Sequence, residues 1–313
     1  LDKENFSNKD VEFAVKSLER DRELFVSNKG NYFLSKYFNA EKQIAQLLTS
    51  LAARNGHRTG FEKYESDSYY RLNDKQKSVV NAIERNRLIV LTGLPGTGKT
   101  TTIKTIVDSY GYDDVVLLAP TGKAASRMSE LCGIGASTLH SFFFNPVGGV
   151  NTIENKIVTI DEISMCDVEI GGLAAEGICQ NCVLILVGDP DQLPSVGPGQ
   201  VLQDVLDSKI GACYHLDKIM RQQPGSIIKS AHSIHNGNGI VQDSDNEVSV
   251  LIPDEWNIEK ITKRVMNHPK WKNAQFLSVL KDKVSLPINK SVQSILMPNN
   301  QSDFNVGDKV IHT

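Results

Sequence analysis

Apolar positions along this chain change their pattern near Asp74. Before it they recur at helical spacing. Asp10 to Leu24 and Ala40 to Arg54 both read as amphipathic helices, and Ile44, Leu47, Leu48 and Leu51 form a stripe fit for a core. Arg54 to Ser68 is polar and reads as a linker. Beyond Asp74, short apolar runs alternate with helical stretches. Leu88–Leu91, Val115–Ala119, Ile157–Ile160, Val183–Val187 and Tyr214–Leu216 are predicted strands, and Lys99 to Tyr110 and Thr121 to Leu131 are predicted helices. Such alternation predicts an α/β fold, a parallel sheet with helices on both faces. After Arg221 the pattern is weaker. Ser226 to His235 reads as a helix, Glu247–Leu251 and Gln275–Val279 as strands, Asn236 to Asp245 as a loop, and Val306 to Ile311 as a turn into a strand. Neither internal repeats nor low-complexity tracts are present.

The segments at the strand ends are more telling than the strands themselves. In open parallel sheets, ligands sit at the carboxyl ends of the strands. The residues after Leu91 include Gly93-Leu94-Pro95-Gly96-Thr97-Gly98-Lys99-Thr100-Thr101, a glycine, four free positions, then Gly-Lys-Thr. Glycines let the backbone wrap so that its N–H groups face phosphate oxygens. Lys99 suits the β and γ phosphates, and the Thr100 hydroxyl suits Mg²⁺. A strand, this loop and the helix N-terminus at Lys99 together predict a nucleotide-phosphate site.

Three other strands end in polar clusters, which the topology predicts on the same edge. Ile157–Ile160 runs into Asp161-Glu162. Asp161 suits phosphate-bound Mg²⁺, and Glu162 suits orienting or deprotonating the attacking water. Val183–Val187 runs into Gly188-Asp189-Pro190-Asp191-Gln192, where Gln192 is either a γ-phosphate sensor or a turn residue. Val115–Ala119 runs into Pro120-Thr121-Gly122-Lys123, whose backbone N–H groups, Thr121 hydroxyl and Lys123 suit a nucleic-acid phosphate. Thr138-Leu139-His140 offers the same chemistry, with His140 as a packing residue the alternative. Arg221 is either an arginine finger, a catalytic guanidinium brought to the γ-phosphate, or a surface ion pair.

Composition narrows the class further. At 313 residues, two domains are expected. No apolar run approaches the roughly twenty residues of a membrane span, and Leu1 to Phe6 carries no signal-peptide pattern. The start lacks Met, as a fragment of a longer protein would. Five cysteines favour a reducing compartment over a disulfide framework, and a cytoplasmic location is expected. Cys179 and Cys182 are the only close pair. They read as one loop cysteine and one entering a strand, because a zinc site needs two further ligands nearby, with a thioredoxin-like redox pair as the alternative. A net charge of −3 means that any nucleic-acid contact is made by a local groove.

Taken in order, these segments resemble a known family. Gln76 within Leu72–Gln76, the glycine loop, Ala119–Ala125, Ser137–His140, Ile160–Met165, Gly188–Gly199 and Met220-Arg221-Gln222 match the order of motifs in superfamily-one DNA helicases, specifically the RecD-like branch (the exodeoxyribonuclease V alpha subunit and its stand-alone relatives). The resemblance is dense from Leu72 to Gln222 and looser at Ala40–Leu51, Asn289–Pro298 and Asn305–Thr313. It implies ATP and Mg²⁺ as cofactors and 5′-to-3′ movement on single-stranded DNA in recombination or repair. Single strands and duplex junctions are the implied partners, alone or with the subunits of a nuclease complex, and no membrane. By family role, Gln76 reads adenine, and Lys99, Thr100, Asp161 and Glu162 run hydrolysis. Gln192 couples the γ-phosphate to DNA, and Arg221 is the finger. Pro120, Thr121, Gly122, Thr138 and His140 line the DNA track. Phe142 to Gly149 falls where the family carries a duplex-splitting hairpin.

The implied organisation is a helical N-terminal region with linker at 1–65 and a first RecA-like P-loop motor domain at 66–212, with a small hairpin insertion at 141–156. Part of a second RecA-like domain comes next at 213–313, entering a small β-barrel near 303–313. Two later family motifs, a histidine–glutamine segment and a Thr-Arg-Ala-Arg segment, are not in the chain, so the resemblance is to a C-terminally incomplete member. A P-loop switch or clamp-type ATPase without unwinding activity is the alternative.

Overall fold

A computed structural model describes residues 7–145, 147–218, 220, 226–241, 257–269, 277–278 and 281–296. The chain divides into two compact units, Leu1–Pro224 and Gly225–Thr313.

The first unit opens with helix α1 (Asn8–Arg20), started by a reciprocal cap between Ser7 and Asp10. The expected helix through Leu24 stops short. Arg22 takes a left-handed conformation (φ 60°), and Leu24 enters a small antiparallel hairpin, β1 (Leu24–Val26) and β2 (Tyr32–Leu34). Phe25 stacks on Phe38 at 3.8 Å between ring centroids, which ties the hairpin to helix α2 (Ser35–Ala52). The predicted stripe of α2 is real, with Leu47, Leu48 and Leu51 buried.

The stretch from Arg54 to Ser68 contains little regular structure until α3 (Asp67–Tyr70), yet its backbone is tied down. Gly56 and Thr59 donate their N–H groups to the carbonyls of Arg85 and Glu84, and the Thr59 hydroxyl donates to Ile83 at 2.8 Å. These donors satisfy carbonyls of the turn that directly follows helix α4 (Asp74–Ala82).

A six-stranded sheet forms the centre of this unit. Its strands are β3 (Leu88–Gly93), β4 (Val115–Ala119), β5 (Ala136–Thr138), β6 (Ile157–Ile160), β7 (Val183–Gly188) and β8 (Ala212–Leu216), and their order across the sheet is β5-β4-β6-β7-β3-β8. Every pairing is parallel. The five strands predicted from apolar runs are all present. β5, whose residues are only partly buried, is the additional edge strand.

Successive side chains of each strand serve opposite faces, and the core divides accordingly. Ile89, Leu91, Leu117, Ile185 and Val187 pack with α4, α5 (Lys99–Tyr110) and α6 (Gly122–Cys132). Leu88, Val90, Leu118, Val158 and Leu186 pack with α2, α7 (Leu139–Phe143), α8 (Val168–Gly177) and α9 (Val201–Ser208). The result is a three-layer α/β/α architecture, the parallel sheet with helices on both faces that the alternation predicts.

Within the second unit, helices α10 (Ser226–His235), α11 (Ile258–Met266) and α12 (Leu286–Leu296) are described, with a π-helical turn at Lys281–Ser285 before α12. Helix α10 has the predicted bounds. The strands expected at Glu247–Leu251 and Val306–Ile311 lie outside the described residues, as does most of Gln275–Val279. No described helix is long and apolar enough to cross a membrane.

Candidate nucleotide site and the sheet edge that carries it

Because all six strands run the same way, their carboxyl ends open on one edge. The glycine loop leaves β3 there, and Gly98, at φ 91°, caps the start of α5. The left-handed turn needs glycine, and so does the space: a Cβ on Gly98 would collide with the side-chain amide of Gln76. Thr97 is buried, its hydroxyl donating to the Leu94 carbonyl at 2.8 Å. The Lys99 ammonium folds back over the loop and donates to the carbonyls of Gly93 and Leu94.

Gln76 is almost wholly buried beside this loop. Its amide oxygen accepts the Asn73 N–H at 3.0 Å, closing a reciprocal cap on α4. Its amide nitrogen donates to the carbonyls of Thr97 and Gly98 at 3.5 and 3.4 Å. The residue singled out for adenine thus also packs α4 against the phosphate loop.

Strand β7 lies between β3 and β6. Two strand spacings, about 10 Å, therefore separate the loop's strand from the one bearing Asp161 and Glu162. Burial raises the Asp161 carboxyl to about 6, and the neighbouring Glu162 adds to the effect. The Glu162 N–H bond to its Oδ1 (2.9 Å) and the charges of Lys99 and Arg127 work the other way. Glu162 itself is left-handed (φ 54°), a conformation that costs a non-glycine residue roughly 1–2 kcal/mol. Strain of this kind persists where the surroundings dictate it and concentrates at functional sites.

From the end of β7 the chain reaches Asp189, which is buried, and exposed Gln192, whose N–H donates to the Asp189 carbonyl at 3.2 Å. Gln192 lines a small hollow of mixed character with Ser164, Pro190, Leu202 and Gln203. The Ser164 hydroxyl is buried and has no hydrogen-bond partner among the described residues.

On the other side of the sheet, β4 and β5 pair Ala119 with Thr138. This register sets Pro120–Lys123 beside Thr138–His140. Thr121 caps α6 by accepting the Ala124 N–H at 3.3 Å, and Thr138 caps α7 by accepting the Ser141 N–H at 3.0 Å. Gly122, Lys123 and His140 are exposed. His140 stacks on Phe144 with centroids 5.1 Å apart, so it faces an aromatic ring at the surface rather than the core.

The three consecutive phenylalanines divide their work. Phe143 is fully buried, Phe142 is half-buried and Phe144 is exposed. Phe144 bridges Val150 in antiparallel fashion, forming the base of a short hairpin-like turn whose Val147 is 94% exposed. Arg221 lies outside the described residues. Its neighbour Met220 donates its N–H to the Gly96 carbonyl at 2.9 Å. The five cysteines are free.

A family model described as an AAA domain matches residues 71–249, more than half of the chain. The chain belongs to the AAA domain family. Its relatives include the ATP-dependent RecD2 DNA helicase of Deinococcus radiodurans, 33% identical over 227 residues that make up 69% of this chain and 31% of that protein. The RecBCD enzyme subunit RecD of Mycobacterium tuberculosis is 30% identical over 56% of this chain and 36% of its own. The chain spans about a third of the length of these curated relatives. Among solved structures, a Pif1 helicase from Candida albicans covers 74% of this chain and 55% of its own, at 21% identity and a TM-score of 0.43. The RecD-like resemblance read from the motifs agrees with these relatives, which include RecD2 and RecD.

Several features of this AAA domain that matter for the site were not singled out from sequence. Asn73 and Gln76 carry the spacing of a reciprocal helix cap, a signal that predicts the start of α4. The pairing of Lys75 with Asp217 (2.7 Å) and the contact of Met220 with Gly96 join positions far apart in sequence, and no local pattern announces them.

Proposed function

We propose that this chain carries the nucleotide-hydrolysing part of an ATP-dependent DNA helicase that moves 5′ to 3′ on single-stranded DNA in recombination or repair. The observation that supports the reading is one sheet edge that carries both the phosphate loop with Asp161-Glu162 and the capped helix starts at Thr121 and Thr138. The loop's N–H groups and Lys99 hold the phosphates. Mg²⁺ suits the donors: the Thr100 hydroxyl and Asp161 carboxylate are hard oxygen ligands, and a carboxyl pushed up to about 6 by burial is one whose ionised form a nearby cation favours. Bound there, the cation would neutralise charge on the phosphates. Glu162 orients and deprotonates the attacking water, Gln192 reports the γ-phosphate, and Arg221 acts as the finger. Pro120, Thr121, Gly122, Lys123, Thr138 and His140 hold the DNA backbone, N–H groups at both helix starts serving as phosphate donors. The exposed Phe144 and Val147 suit a wedge at a duplex junction, and nuclease-complex subunits are candidate partners.

Lys99→Ala in the full-length protein tests the reading. It is expected to abolish DNA-stimulated ATP hydrolysis, and retained turnover would refute the assignment. Strong stimulation of the wild-type ATPase by single strands separates a motor from a P-loop switch that does not unwind.

A further inference from the structure

From Leu216, the end of β8, a stretch of chain reaches across the phosphate loop, making contacts that are not among the loop's own turns. The Leu216 carbonyl oxygen approaches Gly93 so closely that a Cβ there would lie 2.5 Å from it. Asp217 pairs with Lys75 of α4 at 2.7 Å. The Met220 N–H donates to the Gly96 carbonyl at 2.9 Å, and its side chain lies 3.7 Å from where a Cβ on Gly98 would stand. The Asn73 amide reaches the Met220 sulfur at 3.9 Å. The stretch thus touches the start, the middle and the end of the glycine loop, and it is fastened to the first turn of α4. That turn is itself held to the loop through Gln76.

The bond to Gly96 has a geometric consequence. A peptide is planar, with its C=O and N–H pointing opposite ways. The Gly96–Thr97 peptide is gripped at both ends, its carbonyl by Met220 and its N–H by the Leu94 carbonyl at 3.3 Å. The plane of the peptide in the middle of the cradle is therefore set from outside the loop. Lys99 holds the loop from within through the Gly93 and Leu94 carbonyls, an arrangement that anionic phosphates would compete for. Contacts made by Met220 are not in that competition.

We propose that Leu216, Asp217 and Met220 form a brace that sets the curvature of the phosphate loop, with Lys75, Asp217 and Met220 as positioning residues for phosphate binding. The proposal rests on the nucleotide reading above. A brace of this kind orders the loop before the ligand arrives, so its loss weakens nucleotide binding in ground and transition states alike. The expected signature is a higher KM for ATP at nearly unchanged kcat.

The test uses the full-length protein, Mg²⁺ with ADP as the titrant, and amide exchange across Gly93–Lys99. Lys75→Glu places two like charges together and is expected to weaken ADP about fivefold and to speed exchange of the loop amides. Asp217→Lys is expected to do the same. The Lys75→Glu/Asp217→Lys double variant restores the pair and is expected to return ADP affinity to within about twofold of wild type. Met220→Pro removes the N–H donor and is expected to weaken ADP about tenfold. Unchanged ADP affinity in the single variants, failure of the charge swap to rescue, or loss of kcat without a change in KM would overturn the brace. If the wild type binds neither ADP nor ATP, the nucleotide reading fails. The exchange measurement then decides the brace alone, and loop amides unaffected by Lys75→Glu overturn it.

Discussion

Asp161→Asn should make the free protein more stable while ending hydrolysis. The Asp161 carboxyl ionises near 6 in the fold, against an ordinary value of 3.8, chiefly because burial strips water from the charge. Between those two values the folded protein holds a proton that the unfolded chain releases. Folding takes up that proton, so the stability tied to this group rises as pH falls from 6 towards 4 and is lost as pH climbs through 6. Above pH 7 the ionised side chain costs about 3 kcal/mol, at 1.36 kcal/mol per decade of proton affinity. Asparagine carries no charge, and its oxygen can still accept the Glu162 N–H that Asp161 accepts at 2.9 Å. Urea unfolding at several pH values is the assay. The variant is expected to exceed wild type by up to about 3 kcal/mol at pH 8, with the gap closing to under about 1 kcal/mol by pH 4. Mg²⁺ with ADP should stabilise wild type far more than the variant, since the cation gains from the carboxylate. A variant no more stable than wild type at pH 8, or a gap that widens on acidification, would refute the reasoning.

Three other substitutions probe separate parts of this unit. Gly98→Ala must adopt φ 91° and push the Gln76 amide off the Thr97 and Gly98 carbonyls, and is expected to cost about 2–4 kcal/mol in nucleotide affinity by titration. Phe143→Ala opens a cavity under the hairpin-like turn and is expected to lower unfolding free energy by about 3–5 kcal/mol, whereas Phe144→Ala at the surface should change it by less than about 1 kcal/mol and lower duplex unwinding instead.

Sequence patterning revealed what depends on neighbours along the chain. β4 and β6 have the bounds expected of their apolar runs, and α5 and α10 those expected of their helical spacing. Strand β5 escaped because three half-buried residues at the sheet's edge, Ala136, Ser137 and Thr138, carry almost no apolar signal. The N-terminal hairpin escaped because Leu24 continues the helical spacing of α1, and only the left-handed turn at Arg22 breaks it. The glycine loop and Asp161-Glu162 were legible because their chemistry is local. Lys75 and Asp217, 142 positions apart, were not, because the topology alone places the end of β8 next to α4. The double role of Gln76 was hidden for a related reason. Helix capping and loop packing both use the same amide, and a motif names only one use.

The uniform direction of the six strands has a mechanical consequence. Load applied at the carboxyl edge along the strands does not peel the sheet open one hydrogen bond at a time. It is carried in shear, across all the bonds of a ladder together. Tension entering at Pro120–Lys123 or Thr138–His140 would pass down β4 and β5, cross to β6 and β7, and reach β3 beneath the phosphate loop. The weakest link is then the edge ladder between β4 and β5, only three residue pairs long. In single-molecule pulling at this edge, detachment of β5 and α7 is the first rupture to look for, with the phosphate loop's own strand, secured on both sides by β7 and β8, among the last to yield.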